Sequence, residues 1–187
     1  MSDGHSLNAT TDAALDDVQL REAVQFALAQ AAKHGASDAE AAASLSQGLA
    51  VNVRKGELET VEHTRDHGLV VSVYFGHRTG SASTSDYSSS AVEETVQAAC
   101  SIAKFTEQDA CHGLADSERL AKEPVDLDLY HPWRPTVDQA CDIALECESV
   151  ALSTDGRINN SEGASVDAHE GCEVYGNSHG FLGHSRK

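Results

Sequence analysis

The stretch Arg54–Asp86, RKGELETVEHTRDHGLVVSVYFGHRTGSASTSD, decides what kind of fold this chain adopts. Alanine, valine and leucine alternate with polar residues, and turn signals recur at Lys55-Gly56, His67-Gly68 and Gly76 to Gly80. Alternation with period two is the pattern of a half-buried strand, and glycine-bearing pairs mark reversals. Gly48 gives the same signal upstream, so the region from Ala36 to Asp86 reads as four or five short strands in an antiparallel meander. Its most apolar run, LVVSVYF from Leu69 to Phe75, is the expected buried central strand.

Helical periodicity flanks this meander. Leu20, Val24, Ala27, Leu28 and Ala31 share one helical face, which predicts a helix from about Ala13 to His34 with Gly35 as its stop. Residues 1–12 are polar and read as a disordered leader. Ser90-Ala91-Val92-Glu93 resembles a capping box and opens a second helix reaching Thr106, with Cys100 on its apolar face. Between Glu107 and Pro135 the periodicity fails, and all three prolines fall here. An extended connection is expected, anchored by Leu127, Leu129, Tyr130 and Trp133. Thr136 can cap a third helix running to Ser153, after which RINNSEGASVDAHEG, CEVYGNS and HGFLGHSRK return to strand and turn. The fold class is therefore α+β, an antiparallel meander packed by about three helices.

Composition excludes several functions. Thirteen Lys and Arg against thirty Asp and Glu leave a formal charge of −17, which repels phosphate backbones and anionic membrane surfaces, so neither nucleic acid nor membrane is an expected partner. The amino terminus lacks a basic region followed by an apolar run, which predicts a cytoplasmic protein. Five cysteines, odd in number and without a CxxC pair, argue against a disulfide framework or a structural zinc finger.

The chemical candidates each lack a part. His63 and His67 are four apart, a chelating spacing on a helix, yet they lie among strand-like residues that would splay them. His169-Glu170 begins like a zinc-peptidase motif, and no second histidine follows at the motif's spacing. Gly76 to Ser81 has the wrong spacer and no lysine for a phosphate loop. Cys172, His179 and His184 crowd the end of the chain and form an alternative metal set. Gly176 and Gly180, with alternating residues on either side, favour a hairpin there instead. No catalytic residue and no metal ligand is assigned from the residues themselves.

Several blocks in order carry a resemblance: the opening stretch, GLAD at Gly113–Asp116, DLDLYHPW at Asp126–Trp133, RINNSEGASVDAHEG and YGNSHGF. From about Leu20 to Leu182 the chain resembles the amino-terminal domain of the TldD and PmbA (TldE) metallopeptidase family, and its later blocks resemble the PmbA side. The resemblance implies a single domain over 13–187, ending before the family's second domain. It also implies a PmbA-like subunit of a peptidase system that acts on flexible, unstructured peptides. The TldD-like subunit would be its partner and would carry zinc on a helical HExxxH motif; no cofactor is expected in this chain. Two alternatives stand beside it: a truncated product without activity, and an independent metal-binding module using His169, Cys172, His179 and His184.

Overall fold

A computed structural model describes residues 9–187, with side chains from residue 17 onward. Three helices and five strands follow in the order α1 (Ala9–Lys33), β1 (Asp38–Arg54), β2 (Glu57–Phe75), β3 (Arg78–Thr84), α2 (Ser89–Phe105), α3 (Val137–Ser153), β4 (Ala164–Asn177) and β5 (Leu182–Arg186). The strands form a five-stranded antiparallel sheet in the order β3-β2-β1-β4-β5. The α+β class is as the sequence implies. The first eight residues of the expected leader lie outside the described residues, and α1 opens at Ala9 rather than Ala13.

The meander differs from expectation in strand number. Three strands span the region expected to hold four or five, because Gly48 and Gly68 are extended positions inside β1 and β2. At Gly68 the reason is local: its N–H donates to the Tyr87 hydroxyl at 3.0 Å, and that hydroxyl donates to Ser44 O at 2.6 Å. The reversals that do occur are tight. Lys55 and Gly56 both have positive φ, at 54° and 76°, which suits the two-residue type I′ turn that matches strand twist. Gly76, at φ 60°, opens the turn that pairs Phe75 with Arg78.

The chain divides into two compact units. The first takes residues through Leu45, His67–Asp128 and Cys172–Arg186. Its core joins Leu20, Val24, Ala27 and Ala31 of α1 to Val92, Val96, Ala99 and Ala103 of α2, over Ala39, Ala41, Ala43, Leu69, Val71, Val73 and Val174 of the sheet. Each fully buried valine or leucine contributes about 1.5–3 kcal/mol, so this layer dominates the unit's stability. The run Leu69–Phe75 is buried on one face only: Val70 is 49% exposed. Helix α2 starts one residue before Ser90, and its cap is Ser88, whose Oγ accepts from Ala91 N at 3.4 Å. The Asp86 carboxylate holds Ser88 N at 2.8 Å and so fixes which serine of the run serves.

The second unit takes Ser46–Asp66, Leu129–Gly171 and Lys187. Its core is small: Leu49 and Val51 of β1 against Ala140 of α3, with Val137, Cys141 and Val166 packed around them. Thr136 caps α3 as expected, within a reciprocal box in which Thr136 Oγ1 accepts from Gln139 N and Gln139 Oε1 accepts from Thr136 N. The buried face of α3 also holds Glu148, 3% exposed, whose two oxygens accept from Lys55 N at 2.9 Å and Gly56 N at 2.8 Å. Backbone donors of the turn thus satisfy a carboxylate that burial would otherwise penalise. The expected apolar anchors of the connection are not anchors: Leu127 is 66% exposed and Trp133 55% exposed, and Leu129 is exposed as well. Within this unit the connection is held by polar contacts of Tyr130 and Arg134.

Candidate functional site

The second unit carries a groove of about 340 Å³. Gln47, Gly48 and Leu49 of β1, His63 and Thr64 of β2, Ala168 to Glu170 of β4 and Trp133 to Pro135 line it. Its floor exists because Gly48 has no side chain: an added Cβ would lie 2.6 Å from His169 Cε1, nearer still to Nδ1, and 3.0 Å from Thr64 Oγ1. A glycine within a strand pattern signals either a reversal or a close approach, and here it permits the approach of an imidazole ring.

Glu170 organises one wall. Arg134 directs Nε at 3.2 Å and Nη2 at 2.9 Å onto Glu170 Oε2, the Tyr130 hydroxyl approaches the same oxygen at 3.5 Å, and Gln47 Nε2 donates to Oε1. Arg134 Nη2 also donates to the Tyr130 hydroxyl at 3.3 Å. Burial pushes the Glu170 carboxyl up, but Arg134, Gln47 and Tyr130 together outweigh it and hold the group below its ordinary value. Donating to the Glu170 carboxylate in turn raises the Arg134 guanidinium. Trp133 and Pro135, which flank the anchored Arg134, line the groove beside this cluster.

Along the same unit, β2 offers an open edge. β3 pairs only with Leu69 to Phe75, and every residue from Glu57 to His67 is exposed. From Glu57 to Asp66, β2 therefore has β1 on one side and, among the described strands, none on the other. Such an edge presents a row of backbone donors and acceptors to an incoming strand.

The histidines and cysteines singled out from sequence are dispersed. The terminal hairpin forms, with Cys172 opposite Arg186 and Val174 opposite His184. His179 Nε2 lies 2.7 Å from Asp38 Oδ1, and Arg21 Nη2 donates to His184 Nδ1 at 2.6 Å. His169 belongs to the second unit, at the groove. His63 lines that groove, whereas His67 stands edge-on to the Tyr87 ring in the first unit. Glu170 and Gln47 were not legible as a pair, since only the fold places β1 beside β4. Gly48 was the available signal, read as a turn.

In the first unit, Glu40 accepts from the hydroxyls of Tyr74 and Tyr175, each at 2.8 Å. Burial, reinforced by the bond to Glu40, pushes Tyr74 up to about 12 and raises Tyr175 as well. These phenols are neutral donors that tie β2 and β4 to β1.

A family model described as PmbA/TldA metallopeptidase domain 1 matches residues 39–103, and one described as the central domain of the same metallopeptidases matches residues 130–187. A protein of Haemophilus influenzae named "Metalloprotease PmbA homolog" is 49% identical over 175 residues, which are 94% of this chain and 39% of that protein. A crystal structure from Bacteroides thetaiotaomicron, of a candidate modulator of DNA gyrase, superposes with a TM-score of 0.72 at 22% identity, over 89% of this chain and 38% of that one. TldE from Thermococcus kodakarensis gives a TM-score of 0.68 at 16% identity, over 88% of this chain and 36% of that one. The chain thus spans well under half the length of these relatives. The metal implied by the word metalloprotease finds no fitting ligand set among the described residues, where no three His, Cys, Asp or Glu side chains converge to hold an ion. Nor is any described helix long and apolar enough to cross a membrane. Two consecutive domain models of one family match in order along the chain, and a relative nearly half identical runs almost its full length: the chain belongs to the PmbA/TldD metallopeptidase family.

Proposed function

We propose that this chain forms part of a PmbA-like subunit of a cytoplasmic TldD/PmbA metallopeptidase system, in which it receives flexible peptides and docks a TldD-like partner. The observation that carries the peptide role is the open edge of β2 from Glu57 to Asp66, with the groove in the same unit. An extended peptide adds to such an edge through main-chain hydrogen bonds, which demand no particular sequence and reject folded substrates. No side chain of this chain is assigned to bond cleavage. Zinc, with the water it activates, belongs in this reading to the partner.

Hydrogen exchange on the complex of this chain with a TldD-like subunit tests the reading. An unfolded peptide is expected to slow amide exchange within Glu57–Asp66 and leave Leu69–Phe75, already paired with β3, unchanged. Unaltered exchange along Glu57–Asp66 at saturating peptide would remove the peptide role.

A further inference from the structure

The open edge of β2 carries its own charge code. From Glu57 to Asp66 it holds four carboxylates, Glu57, Glu59, Glu62 and Asp66, against one cation, Arg65. Strand alternation puts Glu62 and Asp66 on one face with Leu58, Thr60 and Thr64, and Glu57 and Glu59 on the other with Val61 and Arg65. Both faces of this stretch are exposed, so each carboxylate stands where a side chain of an added strand would lie directly opposite it.

We infer that this edge selects extended segments in which Lys or Arg alternates with β-branched residues, and rejects acidic ones. The inference rests on the peptide role proposed above and adds its substrate class. Opposite charges across a strand pair attract and like charges repel, and each exchange of one for the other changes affinity a few-fold. Leu58 and Val61, both exposed, supply the apolar contacts between the charged positions. A second copy of this chain is a poor occupant, because it would bring the same carboxylates against these.

Charged residues on an edge have another use: they keep an exposed strand from pairing with anything. Fluorescence anisotropy on the whole chain separates the two roles. The probes are two labelled peptides of alternating valine and threonine, one with two lysines and the other with two glutamates at the same positions. The lysine peptide is expected to bind roughly tenfold tighter, with the preference fading as salt rises. The paired exposed substitutions Glu59→Lys and Glu62→Lys are expected to reverse it. Equal binding of the two peptides, or a preference that survives the charge reversal, overturns the selectivity and leaves the peptide role standing. If neither peptide binds and the amides of Glu57–Asp66 stay unprotected, the peptide role itself fails and the selectivity falls with it.

Discussion

Gly80 and Gly48 invite the same substitution, and the structure assigns them opposite outcomes. In Gly80→Ala the new Cβ would lie 2.5 Å from Ala103 N and 3.1 Å from Ala103 Cα, and nearer still to Ala99 O. These are backbone atoms of α2, so no rotamer relieves the overlap. Restoring an ordinary carbon contact of about 3.5–4 Å requires α2 to back away from β3 by about 1 Å, a gap that forfeits a quarter to a half of each dispersion contact it opens. The helix face that would lift carries Val92, Val96, Ala99, Cys100 and Ala103, all buried. Overpacking of this kind costs about 1–3 kcal/mol, and the rigidity of the obstacle places this case at the upper end. For a chain of this size that corresponds to a fall in Tm of about 6–12 °C. In Gly48→Ala the obstacles are the side chains of His169 and Thr64. Rotating the exposed imidazole costs about 1 kcal/mol, and replacing a strand glycine returns about 0.5–1 kcal/mol, so Tm should stay within about 3 °C. Thermal unfolding of the two variants, followed by far-ultraviolet circular dichroism, decides the matter. A Gly80→Ala chain as stable as Gly48→Ala would refute the reasoning that backbone against backbone is what makes Gly80 obligatory.

Three further outcomes follow from the clusters already described. Glu170→Gln weakens the hold on Arg134, and because Trp133 is the sole tryptophan, its emission should shift red and its quenching by iodide should increase; unchanged fluorescence would show that the cluster does not position the groove wall. Tyr74 should ionise near 12 in an alkaline absorbance titration, and the stability linked to it should be present below the ordinary tyrosine value of about 10 and lost as pH rises from there toward 12, a loss absent in Tyr74→Phe. Glu148 is held below its ordinary value first by the Gly56 and Lys55 backbone donors, so its contribution is present above that ordinary value and lost as pH falls through the lowered one. Urea midpoints across the acid range should therefore fall less steeply for Glu148→Gln, and parallel curves would contradict the assignment.

The parts of the fold that were legible are those whose determinants sit within a few residues of each other. Thr136 and Gln139 cap α3 with nothing but their own side chains and backbone, and the terminal hairpin needs only alternation around Gly176 and Gly180. The failures turn on a distant partner, on a choice among near-equivalent neighbours, or on exposure. A glycine inside an alternating run reads equally as a reversal or as a place where something approaches, and at Gly48 the choice belongs to His169, on a strand that arrives much later in the chain. The serine run before α2 offers several caps of similar quality, and the Asp86 carboxylate chooses among them. Leu127 and Trp133 are apolar whether or not anything covers them, so hydrophobicity alone could not reveal that they remain exposed.

The same distinction bears on how the carboxylates of this acidic chain should be read. Glu40, Glu148 and Glu170 are engaged through both oxygens: those of Glu40 accept from tyrosines, those of Glu148 accept from the β1–β2 turn, and those of Glu170 accept from Gln47 and Arg134. Each joins segments far apart in sequence, so each acts through geometry. Substituting them should disturb stability or the shape of the groove. Among the described residues, the carboxylates of the β2 edge make no hydrogen bond or ion pair, and substituting Glu59 or Glu62 should leave stability intact while changing what binds. A chain in which edge substitutions unfolded the protein, or in which Glu148→Gln altered peptide choice without altering stability, would have its structural and recognition carboxylates the other way round.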